Sequence, residues 1–183
     1  MKIDKFLKRY DLSRKEIKEI DLRDTYMQRT PNRSTDYLLA IEKKRTHLMI
    51  FSPHTEIFSL LHQFGESWIE KVFTDTRYYK MASVLGKKDF PKKLKKIYYS
   101  IRDGYLQGKY KEKYIVVLEE PFAKSRYLRD VEDNAPEIFS GHHRVGALLA
   151  LKRYNVKVVV AVDNKPGSKY SHGKIHDVCV ERK

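Results

Sequence analysis

The run Val156-Lys157-Val158-Val159-Val160-Ala161-Val162 constrains the fold most. It is apolar but for Lys157 and dominated by β-branched residues, so it suits a strand buried on both faces. Its neighbours read as further strands and helices in alternation. Tyr114 to Leu118 is a strand closed by Glu119-Glu120-Pro121, and Glu137-Ile138-Phe139 is a shorter one. His47 to Phe51 is a short apolar run stopped by Ser52-Pro53, which also suits a buried strand.

Helical spacing fills the intervals. Ile57, Leu60, Leu61 and Phe64 recur on one face, with Gly65 as a stop. Trp68, Ile69, Val72 and Phe73 mark a second piece, and the stretch Thr76 to Met81 is dense in aromatic and basic residues. Leu94, Ile97, Tyr98, Ile101 and Tyr105 form a stripe on a helix opened near Pro91 and ended at Gly108. Val145, Leu148, Leu149 and Tyr154 mark the last helix. Near the N-terminus, Ser13-Arg14-Lys15-Glu16 has the form of a capping box opening a short helix through Ile17 and Ile20. A turn is expected at Thr30-Pro31-Asn32, another at 163–167, and a final strand at Val178 to Val180. The expected class is α+β: a small mixed sheet with flanking helices. Residues 1–46 read as an N-terminal helical extension, and 47–183 as a single domain with a helical insertion at 55–86.

Charge narrows the partners. Lys plus Arg exceed Asp plus Glu by 38 − 24 = 14, and the 87–113 segment alone carries 10 basic and 3 acidic residues. Such a balance favours anionic partners without choosing among nucleotides, phosphorylated metabolites, nucleic acid and anionic lipid. One cysteine, Cys179, excludes a disulfide framework and a multi-cysteine zinc module. No apolar run approaches the roughly 20 residues of a membrane span. The first residues lack the apolar stretch of a secretory signal. A reduced, soluble, cytoplasmic protein without membrane association is expected.

The segment that carries chemistry is Ile138-Phe139-Ser140-Gly141-His142-His143-Arg144-Val145-Gly146-Ala147-Leu148. A strand ends, a glycine turns the chain and a helix begins at once. The positive end of a helix dipole favours a phosphate there. Gly141 lets the backbone approach a ligand, Arg144 offers a planar fork for two phosphate oxygens, and His142 and His143 bring imidazoles. Gly146 and Ala147 are small enough for the helix to pack tightly on the sheet.

This strand–Gly-His-His-Arg–helix arrangement resembles the ParB/sulfiredoxin superfamily over Tyr114 to Asp163, with Phe90 to Gln107 matching the helix before the strand. The resemblance implies a ParB/sulfiredoxin-like core whose loop binds nucleotide phosphates: CTP in partition proteins, ATP in sulfiredoxin, ADP or ATP in free-serine kinases. Ser140, Gly141, His142, His143 and Arg144 would then hold the nucleotide. Ser140 stands where the family often has an acid, and His142 stands where sulfiredoxin has its cysteine nucleophile. Only about twenty residues follow Asp163, against the helix-turn-helix domain of partition proteins. The stand-alone small-molecule kinases are the nearest match, implying ATP or ADP (or CTP) with Mg²⁺ and a small hydroxylated acceptor.

A kinase needs a base for that hydroxyl. Ser52-Pro53-His54-Thr55-Glu56 is the expected supplier, lying beside the loop if Leu48 to Phe51 pairs in the sheet. His54, Glu56 and His143 are the candidate catalytic residues, with Glu56 also a candidate for Mg²⁺. Thr55 as a helix cap with Glu56 favourably placed in the first turn explains the same residues. His172 and His176 have the spacing of a helical metal pair, interrupted by Gly173, and Ser168 to Lys174 suits closure over an anion. Arg77, Tyr78, Tyr79 and Lys80 suit base stacking or phosphate binding, or simply core. The other reading is a ParB-like DNA-binding protein or nuclease using the basic 87–113 segment.

Overall fold

A computed structural model of the protein describes residues 3–27, 48–84, 90–104, 115–118 and 136–164. Helix α1 (Ile3–Arg9) leads into strand β1 (Leu12–Asp21) and, after a 3-10 turn, β2 (Tyr26–Met27). Helices α2 (Pro53–Phe64), α3 (Glu66–Val72), α4 (Arg77–Val84) and α5 (Phe90–Gly104) follow. The remaining elements are β3 (Val116–Leu118), β4 (Glu137–Ser140), α6 (His142–Ala150) and β5 (Asn155–Asp163). The strands form one mixed sheet in the order β1-β5-β3-β4-β2. Strands β5 and β3 run parallel, as do β2 and β4, while β1–β5 and β3–β4 are antiparallel. The architecture is α+β, a mixed sheet flanked by helices.

Each face of the sheet has its own apolar layer. On one, Leu7 of α1, with Phe6 and Tyr10, covers Val116, Leu118, Phe139, Val159 and Ala161. The Phe139 ring meets Tyr10 edge-on at 5.4 Å. On the other face, Val117, Ile138, Val156, Val158 and Val160 share the larger core with Ile57, Phe58, Leu94, Tyr98 and Leu148 from the helices. The alternation 156, 158, 160 against 159, 161 is the period-two pattern of a strand serving two layers. That explains the near-continuous valine run. Lys157 and Val162 are the exceptions, both exposed.

The 13–20 segment is not a helix. It lies in β1, pairing along β5 from Leu12 opposite Asp163 to Asp21 opposite Asn155, with a register shift between Arg14 and Glu16. Helical spacing of Ile17 and Ile20 loses because β5 would otherwise present a long bare edge, and backbone pairing outweighs local preference. Positions 13–19 are all exposed, so this strand ends the sheet in charge rather than in apolar surface. Residues expected as an N-terminal extension thus supply both edge strands, β1 and β2.

The apolar run before Ser52 also differs from expectation. Leu48 makes one isolated antiparallel bridge to Tyr26, and Met49–Phe51 is a 3-10 turn rather than a strand. Met49 is buried and its N–H donates to the Thr25 carbonyl at 2.8 Å. Of residues 48–51 only Met49 is buried, Phe51 being exposed, and a short apolar run does not distinguish a strand from a turn.

On α5 the stripe is as expected: Leu94, Tyr98 and Ile101 are buried, while Lys92, Lys93 and Lys96 are exposed. Lys95 departs from its neighbours and binds Glu66 and Glu70 of α3. Among the described residues no helix is long and apolar enough to cross a membrane. The expected turns at 30–32 and 165–167, Tyr105, Gly108 and the 178–180 strand lie outside the described residues.

Candidate functional site

Strand β4 ends at Ser140, and α6 starts at His142 with Gly141 as its N-cap. Gly141 has φ +106°, a left-handed conformation costly for residues with a Cβ. A Cβ there would also sit 3.3 Å from Ile115 Cγ1. The glycine thus suits both the bend and the close approach of Ile115, just before β3. Helical bonding begins with Val145 N–H donating to the Gly141 carbonyl at 2.9 Å. The first turn carries no acidic residue, so the positive end of the helix dipole keeps its sign. Residues Ser140 to Arg144 are half-buried.

Helix α2 forms the adjoining wall. Ser52, not Thr55, caps it: Ser52 Oγ accepts from the Thr55 N–H at 3.2 Å, and Pro53 occupies the first turn. Thr55 Oγ1 donates instead to the Met49 carbonyl at 2.5 Å. Although Leu48 to Phe51 is not a strand of the sheet, His54 still reaches the loop. Its ring centroid lies 4.8 Å from that of His143 and 5.7 Å from that of His142.

The cause is Gly146. A Cβ on it would fall 2.8 Å from both the carbonyl carbon and oxygen of His54. Its smallness therefore serves the crossing of α6 on the first turn of α2, not packing on the sheet. Glu56, the one carboxylate among the candidates, forms an ion pair with Arg77 at 2.6 Å. The same Arg77 Nη1 donates to the Phe51 carbonyl at 3.2 Å. Glu56 is therefore already matched to a cation within the protein.

Sequence patterning does not separate Tyr78 from Arg77, Tyr79 and Lys80 beside it. Tyr78 is 1 % exposed, and its hydroxyl lies 2.7 Å from His143 Nε2. Its ring meets the His54 ring edge-on at 5.4 Å. Burial pushes its phenol well above the ordinary value, so its proton stays on. Its place in an aromatic-rich stretch was a signal, but one shared with Tyr79, which is exposed. Only folding brings residues 78 and 143 together.

The two motif imidazoles differ in kind. Desolvation in the packed loop pushes His142 down to about 4, against a backbone hydrogen bond at Ile138 that favours its charged form. His142 is therefore neutral at pH 7. The unfolded chain takes up a proton near the ordinary value of 6.5 that the folded chain refuses until about 4. Stability is thus fully present above that upper value and falls as the solution is acidified through this window. Substituting His142→Asn should reduce the loss of unfolding free energy between pH 7.5 and 4.5 by about 1–3 kcal/mol. Urea titrations of both proteins at the two pH values check this, and equal losses would contradict it.

Among the described residues no three His, Cys, Asp or Glu side chains are grouped to hold a metal ion. His172, His176, Cys179 and Ser168 to Lys174 lie outside the described residues. What the site offers is a half-buried, dipole-positive bend carrying Arg144, with one neutral imidazole, a second tied to a buried phenol, and a third from α2 against both. Comparison with known proteins returns no matching family model, no matching curated protein and no matching solved structure.

Proposed function

We propose that the protein binds a nucleotide through its phosphates at the Gly141–Arg144 bend and transfers a phosphoryl group to a small hydroxylated acceptor. The observation that carries this reading is the left-handed Gly141 joining β4 directly to α6, with Arg144 in the first helical turn. A helix start of that kind favours an anion, and a guanidinium adds a two-point grip on phosphate oxygens. The resemblance of this segment to the phosphate loop of the ParB/sulfiredoxin superfamily, and to its small-molecule kinases, points the same way.

In this reading ATP is the donor and ADP leaves as the acceptor oxygen attacks the terminal phosphorus. The hydroxyl proton passes to an imidazole of the His54–His143 pair, whose ring centroids are 4.8 Å apart. Glu56 is already held in the ion pair with Arg77. Mg²⁺ would enter with the nucleotide phosphates, keeping several of its waters.

Thermal unfolding with and without ATP, ADP or CTP, each with Mg²⁺, tests the proposal. At one hundred times its dissociation constant a ligand stabilises by about 2.7 kcal/mol. For a chain of this size the melting temperature should then rise by about 5–10 °C. The positive charge and the exposed lysines of α5 favour the second reading, a DNA-binding protein or nuclease. A flat response to all three nucleotides, beside duplex binding that weakens steeply with salt, would replace the first reading by that one.

A further inference from the structure

Strand β1 ends the sheet, and among the described residues no strand pairs with its far side. The opposite end is the two-residue β2, which Leu48 bridges at Tyr26. The ladder within the sheet tells which backbone groups of β1 face outward. Val159 N–H donates to the Ile115 carbonyl at 2.9 Å, so the backbone groups of Val159 point toward β3 and away from β1. In an antiparallel ladder two opposed residues exchange both bonds or neither. Ile17 stands opposite Val159, so its own N–H and C=O point to the outer side of the sheet. Its side chain is 48 % exposed.

The charge of β1 is unlike that of the chain. Leu12–Asp21 holds three basic and three acidic residues, 3 − 3 = 0, in a protein of net charge +14. Charged side chains on an edge ordinarily turn foreign strands away. Here the signs are opposed about Ile17, with Glu16 before it and Lys18 after. Two identical strands paired antiparallel about a two-fold axis place one residue opposite its own copy. From position 14 to 19 that residue is charged everywhere but at Ile17, so every other centre sets like charge against like.

We propose that β1 pairs with β1 of a second copy of this chain, antiparallel and centred on Ile17, joining the two five-stranded sheets edge to edge. Ile17 exchanges both backbone bonds with its own copy across the axis. Glu16 lies opposite Lys18 of the second copy, and Lys18 opposite its Glu16, in the pairs where facing side chains come closest. Glu19 meets the register shift at Arg14 and Lys15 of the second copy, and either of those residues is opposite to it in charge. This pairing does not depend on the nucleotide reading.

Sedimentation equilibrium of the full chain tests it. Wild type should form a dimer that dissociates on dilution, with a Kd on the order of 1–100 µM for so small an interface. Ile17→Lys sets like charges on the axis and should weaken the dimer by about 10-fold. Glu16→Lys and Lys18→Glu should each weaken self-association by a similar factor, because each sets like charge against like. A one-to-one mixture of those two variants should form a heterodimer as tight as wild type, since every facing pair is again of opposite sign. All three positions are exposed, and circular dichroism with the melting temperature checks that the fold is kept. Wild type that stays monomeric at about 1 mM overturns the proposal, and that result needs no variant to fold. A segment of the chain's own lying along β1 would give the same result. A dimer that Ile17→Lys leaves unchanged overturns it as well, by placing the interface elsewhere. A mixture that stays monomeric overturns the pairing of Glu16 with Lys18, and with it the register.

Discussion

Replacing Arg144 by alanine is expected to weaken ATP binding by about 10–100-fold, the loss of roughly 1.5–3 kcal/mol for a hydrogen bond to a charged group. Arg144 is half-buried in the first turn of α6, where its charge adds to the dipole rather than opposing it. Lysine at the same position should recover part of the loss, since it restores the charge but not the planar fork. Titration calorimetry of the three proteins measures this directly. The melting temperature without ligand, taken alongside, separates lost binding from lost fold. Equal affinity for wild type and Arg144→Ala would remove the phosphate loop from its assigned place.

Substituting Gly146→Ala should lower stability by about 2 kcal/mol, and the melting temperature by about 4–8 °C. Two effects compete here. Alanine inside a helix is favoured over glycine by about 1 kcal/mol, which on an open helix face would make this change stabilising. Against it stands the new methyl, 2.8 Å from the carbonyl carbon and oxygen of His54. Backbone atoms cannot rotate aside, so one helix must move off the other at a cost of up to about 3 kcal/mol. The displacement would also separate His54 from His142 and His143, so ATP affinity should fall with stability. A rise in melting temperature would mean that propensity wins and that the helices have room to spare.

Some of this was legible before any fold. Strand β5 could be read from its valines because its central residues, Val158 to Ala161, meet an apolar layer whichever way they point. Helix α2 and the buried stripe of α5 followed from spacing, and the strand–glycine–helix bend followed from composition and order alone. These are local patterns, and a local pattern survives when neighbouring segments agree with it.

Other features needed the whole molecule. Ser13 to Ile20 carries helical spacing, yet its backbone is taken by the open edge of β5, an element some 140 residues away. Met49 to Phe51 is apolar in sequence, but only Met49 is buried, and a short apolar run does not choose between a strand and a turn. Tyr78 and Tyr79 are neighbours of one chemical type, but one is sealed against His143 and the other faces solvent. The amino-acid order determined that a glycine-linked bend with two histidines and an arginine would exist. Which histidine is neutral, which is tethered, and what stands opposite them was decided only when α2 and α4 closed on α6. Hydrogen bonds and desolvation act over ångströms in space, and distance along the chain does not record them.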